Sequence, residues 1–516
     1  MPSLVNVRAS VVGLLGVGAA LALAACSGDG DAGTTTDPGT TGTTTEGGGG
    51  TTATGGSGGT SAGGGGAGGA QAGGGGAGGT TSTTTGWGGA GAACSAFAAR
   101  LGGPDPADDG ELGGVVVDSV GGAIVAGALL GTMNVGAQTL VSAGERDAFV
   151  VRLAESGAVA WAKRFGSVYD ERARGVAAMP DGGAVVVGTF DGAVDFGGVV
   201  LTSIAGPDAF VVRLGPAGEV VFALAFVNAD ARAVAIEDGG DILVTGDFVG
   251  MSAFGDISLA SAQNDIFVAR ISAGGSVLDA AAFTSTAKPG ALAIGSGAGR
   301  TYLAGSFQGS LDFGGGALVS DGSRDVFVAR LDGSLDAVFA RRFGDDTSQE
   351  ARAVAVLSDG SAAIAGGFRG TLDLDGTMLV ADTQDDAFVA RVDDAGAVVF
   401  ALRFGDAAAQ EANAIAVGDG DGLLVAGAFE GTIDVGDGPV VSAGGEDVFV
   451  TWLDPQGVAV KTERWGGAQD QRARSVAADP CGAVLVGGDF FGTLPFGDVT
   501  LEATGGLDVF VGRVEP

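Results

Sequence analysis

Short apolar runs of about six to nine residues, each closed by Gly- or Asp-containing turns, recur from about residue 96 to the C-terminus. In one stretch they read ARAVAV (Ala351 to Val356), SAAIAGGF (Ser361 to Phe368), DAFVARV (Asp386 to Val392) and AVVFALRFG (Ala397 to Gly405). Their length, β-branched content and flanking turns predict strands, and no sustained 3.6-residue apolar stripe argues for helix. The third segment returns as DAFVVRL at Asp147 and Asp208, DIFVARI at Asp265, DVFVARL at Asp325, DVFVTWL at Asp447 and DVFVGRV at Asp508. Successive Asp positions are 61, 57, 60, 61, 61 and 61 residues apart, so the chain is a repeat array.

Tight turns join the first segment to the second (PDGG at Pro180, EDGG at Glu237, LSDGS at Leu357) and the third to the fourth (ESGA, PAGE, DAGA, PQGV). Such turns connect antiparallel neighbours. A four-stranded meander repeated radially is the blade of a β-propeller, and strands apolar on both sides suit blades packed face to face. First segments begin near Leu112, Ala173, Ala231, Gly290, Ala351, Ala412 and Ala473; second and third segments also number seven. The fourth occurs six times (WAKRFG, FALAFV, DAAAFTS, FARRFG, FALRFG, KTERWG), and the chain stops at DVFVGRVEP without it. AFAARLGG, Ala96 to Gly103, supplies the missing copy. The count predicts an all-β, seven-bladed β-propeller of four-stranded blades. Its ring is closed by an N-terminal strand, about 96–103, serving as the outer strand of the last blade. Pairing the two chain ends removes two sheet edges. The blades fall at about 112–166, 173–227, 231–284, 290–344, 351–405, 412–466, and 473–516 plus 94–103.

Composition changes upstream. Residues 1–25 (MPSLVNVRASVVGLLGVGAALALAA) carry Arg8 and an apolar run from Val11 to Ala22, shorter than the ~20 apolar residues a membrane span needs, and read as an export signal. LAAC at Leu23 to Cys26 resembles the bacterial lipobox, which implies a signal peptide cleaved before a lipidated Cys26; the alternative is an ordinary secreted protein. Ser27 after the cysteine is not the Asp of an inner-membrane retention signal, which favours the outer membrane or cell surface. Residues 26–93 are almost entirely Gly, Thr, Ala and Ser and read as a disordered tether, with a root-mean-square span of roughly 45 Å. The folded domain is then 94–516.

The formal net charge is −35, which argues against nucleic acid and against an anionic membrane surface beyond the lipid anchor. Histidine is absent, which removes Ser-His and Cys-His nucleophile pairs and His-ligated metal sites. Through DGSAAIAGGFRGTLDLDG followed by DAFVARVDDAGAVVFALRFG, the chain from about Ala96 to Pro516 resembles the bacterial seven-bladed β-propeller repeat (SBBP-type) lipoproteins. That resemblance implies a fold and a cell-envelope setting, and it carries no catalytic residues.

Cys94 precedes the closing strand and Cys481 lies in the first turn of the last blade, on the same side of the ring. In an oxidising compartment they are expected to form a disulfide, the alternative being two free thiols. The Asp opening each third segment is expected to satisfy backbone at the strand start. Arg152, Arg213, Arg270, Arg330, Arg391 and Arg513, five residues further on with Trp452 in the seventh place, are expected in inter-blade ion pairs or, alternatively, in a ring of anion sites. The tight turns share one face. The long connections, including a small hairpin after each second strand, share the other, where a ligand is expected; Tyr169, Asp170, Glu171, Asp345, Asp346 and Glu350 are the candidates there. The function favoured is a monomeric binding or scaffold module for an extracellular protein or glycan, with no cofactor and no enzymatic activity. Two alternatives stay open: a calcium-stabilised propeller, with Asp419 and Asp421 of GDGDG as metal candidates, and a carboxylate-based glycan hydrolase.

Overall fold

The computed structural model describes residues 95–515 apart from 205, 291 and 505. The expected signal, the Cys26 lipidation site, the tether and Cys94 lie outside the described residues. Seven four-stranded antiparallel blades follow one another in chain order. In blade five the strands Gln349–Val356, Ala362–Phe368, Asp386–Val392 and Val398–Phe404 run from the innermost to the outermost, and the other blades repeat this arrangement. Innermost strands of consecutive blades touch all the way round, including those of blades seven and one. The ring is therefore closed and has a central channel.

Blade seven is composite. Its sheet order places Phe97–Leu101 outside Asp508–Val514, with Phe97 opposite Arg513 and Leu101 opposite Val509. Phe97 and Leu101 are buried, and Arg100 reaches Asp508 at 2.5 Å. The seam to blade one is sewn by Leu112 N–H donating to Asp489 Oδ1 at 2.7 Å and Gly110 N–H donating to the Leu507 carbonyl at 2.6 Å.

The core consists of seven apolar clusters, one per junction between neighbouring blades. Each also contains residues of the small hairpin from the later blade. These hairpins do not stay on the loop face, as their sequence position suggests. They leave it and fold down the outer flank, so that Gly136 and Gly197 at two hairpin tips sit on Val159 and Val220, at the turn-face end of the outer strands. Phe196 of the second hairpin meets Phe165 of blade one, ring centroids 5.3 Å apart, and Phe313 of the fourth meets Phe283 of blade three at 4.8 Å. The reason is geometric. Blades radiating from a channel diverge outward, and the hairpins fill the wedge that four strands leave open. Phe196, Phe254, Phe313 and Phe496 fill four of the wedges and Met133, Leu372 and Ile433 the others, each such burial stabilising by about 1.5–3 kcal/mol.

Departures from the repeat have local causes. Most of the shortfall in the 57-residue spacing lies between Phe226 and Ala229, where a two-residue connection uses Asn228 at φ +56°, a conformation Asn tolerates better than most residues.

The repeated aspartates are buried and structural. Asp325 Oδ2 accepts from the Asp321 N–H at 3.1 Å and from Arg342 on the outer strand at 2.7 Å; Asp147, Asp386, Asp447 and Asp508 are likewise paired with Arg164, Arg403, Arg464 and Arg100. Blades two and three have alanines at the arginine position, and backbone N–H groups of Asn228 and Ser285 serve Asp208 and Asp265 instead.

The six arginines expected at blade junctions divide their contacts. Arg152, Arg213, Arg270, Arg391 and Arg513 pair with Asp118, Asp181, Glu237, Asp359 and Asp479, first-turn residues of their own blades. The link to the next blade is a hydrogen bond to a carbonyl in its second tight turn: Arg270 to Gly333 at 2.6 Å, Arg391 to Pro455 at 2.8 Å and Arg513 to Glu155 at 2.7 Å. Arg330, whose own first turn is the acid-free Gly297 to Arg300 corner, pairs with Asp394 of blade five at 2.8 Å. Trp452 replaces arginine where the following blade is blade seven, whose third and outer strands come from opposite chain ends and so are joined by no turn. There an aromatic ring under Lys461, 5.0 Å away, occupies the place.

Candidate functional site: the mouth of the central channel

Six of the seven innermost strands carry a one-residue bulge near their start, at Gly113, Arg174, Arg232, Arg352, Asn413 and Arg474. Blade four pairs Leu292 and Ala293 with Gly305 and Ala304 without a bulge. A bulge re-aims its side chain out of the alternating pattern. It also requires close approach by the second strand, where a Cβ on Gly366 would lie 1.8 Å from the Glu350 carbonyl oxygen. Because innermost strands begin on the loop face, the re-aimed side chains gather at that end of the channel. Gly113, Arg174, Arg352, Asn413 and Arg474, from five blades, line one cavity of about 280 Å³ together with Glu111 and Arg172.

The ring is also a latch. Arg352 donates to Asn413 Oδ1 at 2.8 Å and Asn413 donates to the Ala473 carbonyl at 3.1 Å, joining blades five, six and seven. Arg174 pairs with Asp230 of blade three at 3.2 Å, and Arg232 donates to the Gly290 carbonyl at 2.5 Å. Two residues before each bulge stands a second charged tier: Glu111, Arg172, Asp230, Glu350, Glu411 and Arg472. In a chain with 26 Lys and Arg against 61 Asp and Glu, the two tiers set Arg172, Arg174, Arg232, Arg352, Arg472 and Arg474 against Glu111, Asp230, Glu350 and Glu411. Burial raises the Glu411 carboxyl, but the hydrogen bond and charge of Arg352 outweigh it and hold the group below the usual carboxylate range. At Asp489, burial prevails over Arg474 and pushes the carboxyl up to about 6.

The sequence-derived candidates scatter. Glu171 is buried and accepts from Ser167 N–H at 2.6 Å and Ser167 Oγ at 2.8 Å, a loop staple in the position that Gln349, Gln410 and Gln471 fill in other blades. Asp345 accepts from the backbone N–H groups of Thr347 and Thr371, both at 2.8 Å, holding a loop and the hairpin beside it. Asp170 pairs with Arg172 at 2.8 Å and Glu350 with Arg324 at 2.6 Å, at the edge of the mouth. Tyr169 and Asp346 are exposed on the loop face. Asp419 and Asp421 diverge: Asp421 accepts from the Ser358 N–H of blade five at 3.0 Å, whereas Asp419 is directed toward Gly482 of blade seven. Among the described residues no group of three or more His, Cys, Asp or Glu is placed to share a metal ion. The channel arginines were missed because ARAVAV reads as an apolar strand. The usable signal was the Ala-Arg pair repeated at Ala173, Ala231, Ala351 and Ala473, each opposite a second-strand glycine.

Buried carboxyls give the fold an expected pH response. Burial pushes Asp325 and Asp489 each up to about 6, so the folded form keeps these protons where the unfolded chain, ionising near pH 4, has released them. Unfolding free energy then falls as pH rises from about 4 to about 6, and the melting temperature should climb by a few degrees when pH is lowered from 7 to 5. Below about pH 4 the carboxyls held low, Glu411 and Asp345, lose their contribution as they protonate. Melting curves from pH 3.5 to 8 test this. Asp325→Asn should flatten the acidic slope, and a flat wild-type profile between pH 5 and 7 would contradict the assignment.

No protein-family model and no curated protein matches this chain. Among solved structures it is similar to the Neurospora crassa Pan2 WD40 domain (12% identity, TM-score 0.41, covering 78% of this chain and 89% of that one). It is likewise similar to the Dos1 propeller (9%, 0.40, 79% and 93%) and to a Staphylococcus aureus virginiamycin B lyase (10%, 0.36, 81% and 99%). The protein is a seven-bladed β-propeller closed by its N-terminal strand, a conclusion that rests on its own strand pairing.

Proposed function

We propose that the protein is an exported, lipid-anchored component of the cell envelope, akin to the SBBP-type lipoproteins, whose propeller binds an extracellular protein or glycan and carries out no catalysis. The propeller fold supports a binding or scaffold role in general. The observation that carries the finer reading is the charged channel mouth on the loop face. It lies opposite the face at which the chain enters the ring, since Phe97 pairs with Arg513 beside the first turn of blade seven. In this reading Cys26 bears the lipid, and a Cys94–Cys481 disulfide fastens that entering segment to the first turn of blade seven.

Fractionation and glycan-array binding of the full chain test the proposal. The wild type should partition with membranes and a Cys26→Ser variant should not, and thiol labelling of the exported protein should find Cys94 and Cys481 blocked until reduction. Glycan binding should be lost in a loop-face variant, Tyr169→Ala with Asp346→Lys, and retained in the turn-face variant Glu155→Lys. A soluble wild type would sink the anchor, and turnover of a bound glycan would sink the non-catalytic reading.

A further inference from the structure

At blade one the bulged position is Gly113, so no side chain projects into the mouth there, and the adjoining blades supply Arg474 on one side and Arg174 on the other. The gap cannot be filled from below, because a Cβ on Gly113 would lie 2.2 Å from the Ala173 carbonyl oxygen. The two arginines are not consumed by their carboxylates. Arg474 engages Asp489 through Nε, and the closest approach of Arg174 to Asp230 is also through Nε, at 3.2 Å. Among the described residues the terminal nitrogens of both donate no hydrogen bond, and the side chains retain 39% and 42% of their exposure, within the 280 Å³ cavity. Arg352 differs: its terminal nitrogens are spent on Asn413 and Glu411, so it belongs to the latch.

We propose that the fork of Arg174 and Arg474 above Gly113 is a binding site for the carboxylate group of a small organic acid. A guanidinium presents planar paired donors that match a carboxylate bidentately, and two of them flank an empty position, while Glu111 in the same cavity is paired with Arg172 at 3.0 Å. Phosphate and sulfate fit the same forks. The nearby Glu111, Glu350 and Glu411, however, disfavour a dianion more than a monoanion, which selects the carboxylate. The cavity admits a sugar acid or another small monocarboxylate and no folded chain. This deepens the binding-module reading without depending on the lipid anchor.

The test is isothermal titration of the full chain with glucuronate, sulfate and inorganic phosphate at constant ionic strength. Saturable binding of glucuronate is expected, tighter than that of sulfate or phosphate. Arg174→Gln should weaken it by about tenfold, the equivalent of one charge-assisted contact. Arg174 is the informative position because Asp230 keeps Arg232 and Lys288 as partners, so the fold should stay intact. Arg474→Gln should act in the same direction but leaves Asp489 buried, and its melting temperature must be read alongside. Arg391→Gln on the turn face should change nothing. Absence of saturable carboxylate binding, equal affinity in Arg174→Gln, or a preference for sulfate or phosphate would overturn the proposal. Each of these outcomes leaves the loop-face glycan test independent.

Discussion

Deleting residues 95–103 is expected to open the ring and destabilise the protein by about 5 kcal/mol or more, a large share of the ~5–15 kcal/mol that holds a folded domain. The loss has separable parts. Phe97 and Leu101 give up burial worth about 1.5–3 kcal/mol each. Asp508, buried and paired with Arg100, is left without that partner at about 1–3 kcal/mol. The strand Asp508–Val514 also becomes a free edge bearing Val509, Phe510 and Val511, a template for association between copies. Thermal melting and size-exclusion chromatography should show a lowered transition and new oligomers, and a synthetic 95–103 peptide added in trans should reverse both. A deletion variant that melts with the wild type and stays monomeric would refute the closure.

Arg513→Ala is the second large expectation. This guanidinium is fully buried, pairs with Asp479 at 2.8 Å, stacks 5.3 Å from the Phe97 ring and donates to the carbonyls of Glu155 and Gly121 in blade one. It joins both chain ends to the first blade in one residue. Breaking a buried pair from one side costs about 3–5 kcal/mol, because the remaining charge keeps its desolvation penalty. Urea denaturation under reducing conditions, which removes any covalent tie at the seam, should show that loss. Arg391→Ala, whose partner Asp359 is half exposed, should cost clearly less. Equal effects at the two positions would count against the special role of the seam.

The fold was legible because its unit is short and repeated. Seven third segments against six fourth segments, counted from where blade one begins, forced the missing strand to the N-terminus, where AFAARLGG supplied it. What the pattern could not give was direction. The hairpins read as loop-face decoration because sequence position locates where a segment leaves a blade and not where it lands; the wedge it must fill appears only once blades diverge in space. The bulges hid for a related reason, since one extra residue leaves ARAVAV looking like an ordinary strand while turning Arg352 into the channel. The junction arginines were recognised as structural, but their pairing within a blade depends on a first turn and a third strand ending at the same level, which spacing alone does not show. Glu171 and Asp345 stood out as departures from the repeat, yet each is spent on holding its own loop.

Because one blade is assembled from the first and last strands of the domain, a growing polypeptide can finish six units and still hold no complete circle. The ends must meet after synthesis of Val514, so the commitment step belongs to the whole molecule and not to any leading portion. Until Asp508–Val514 is made the ring stays open, and a product lacking that strand would be an arc with two sticky borders.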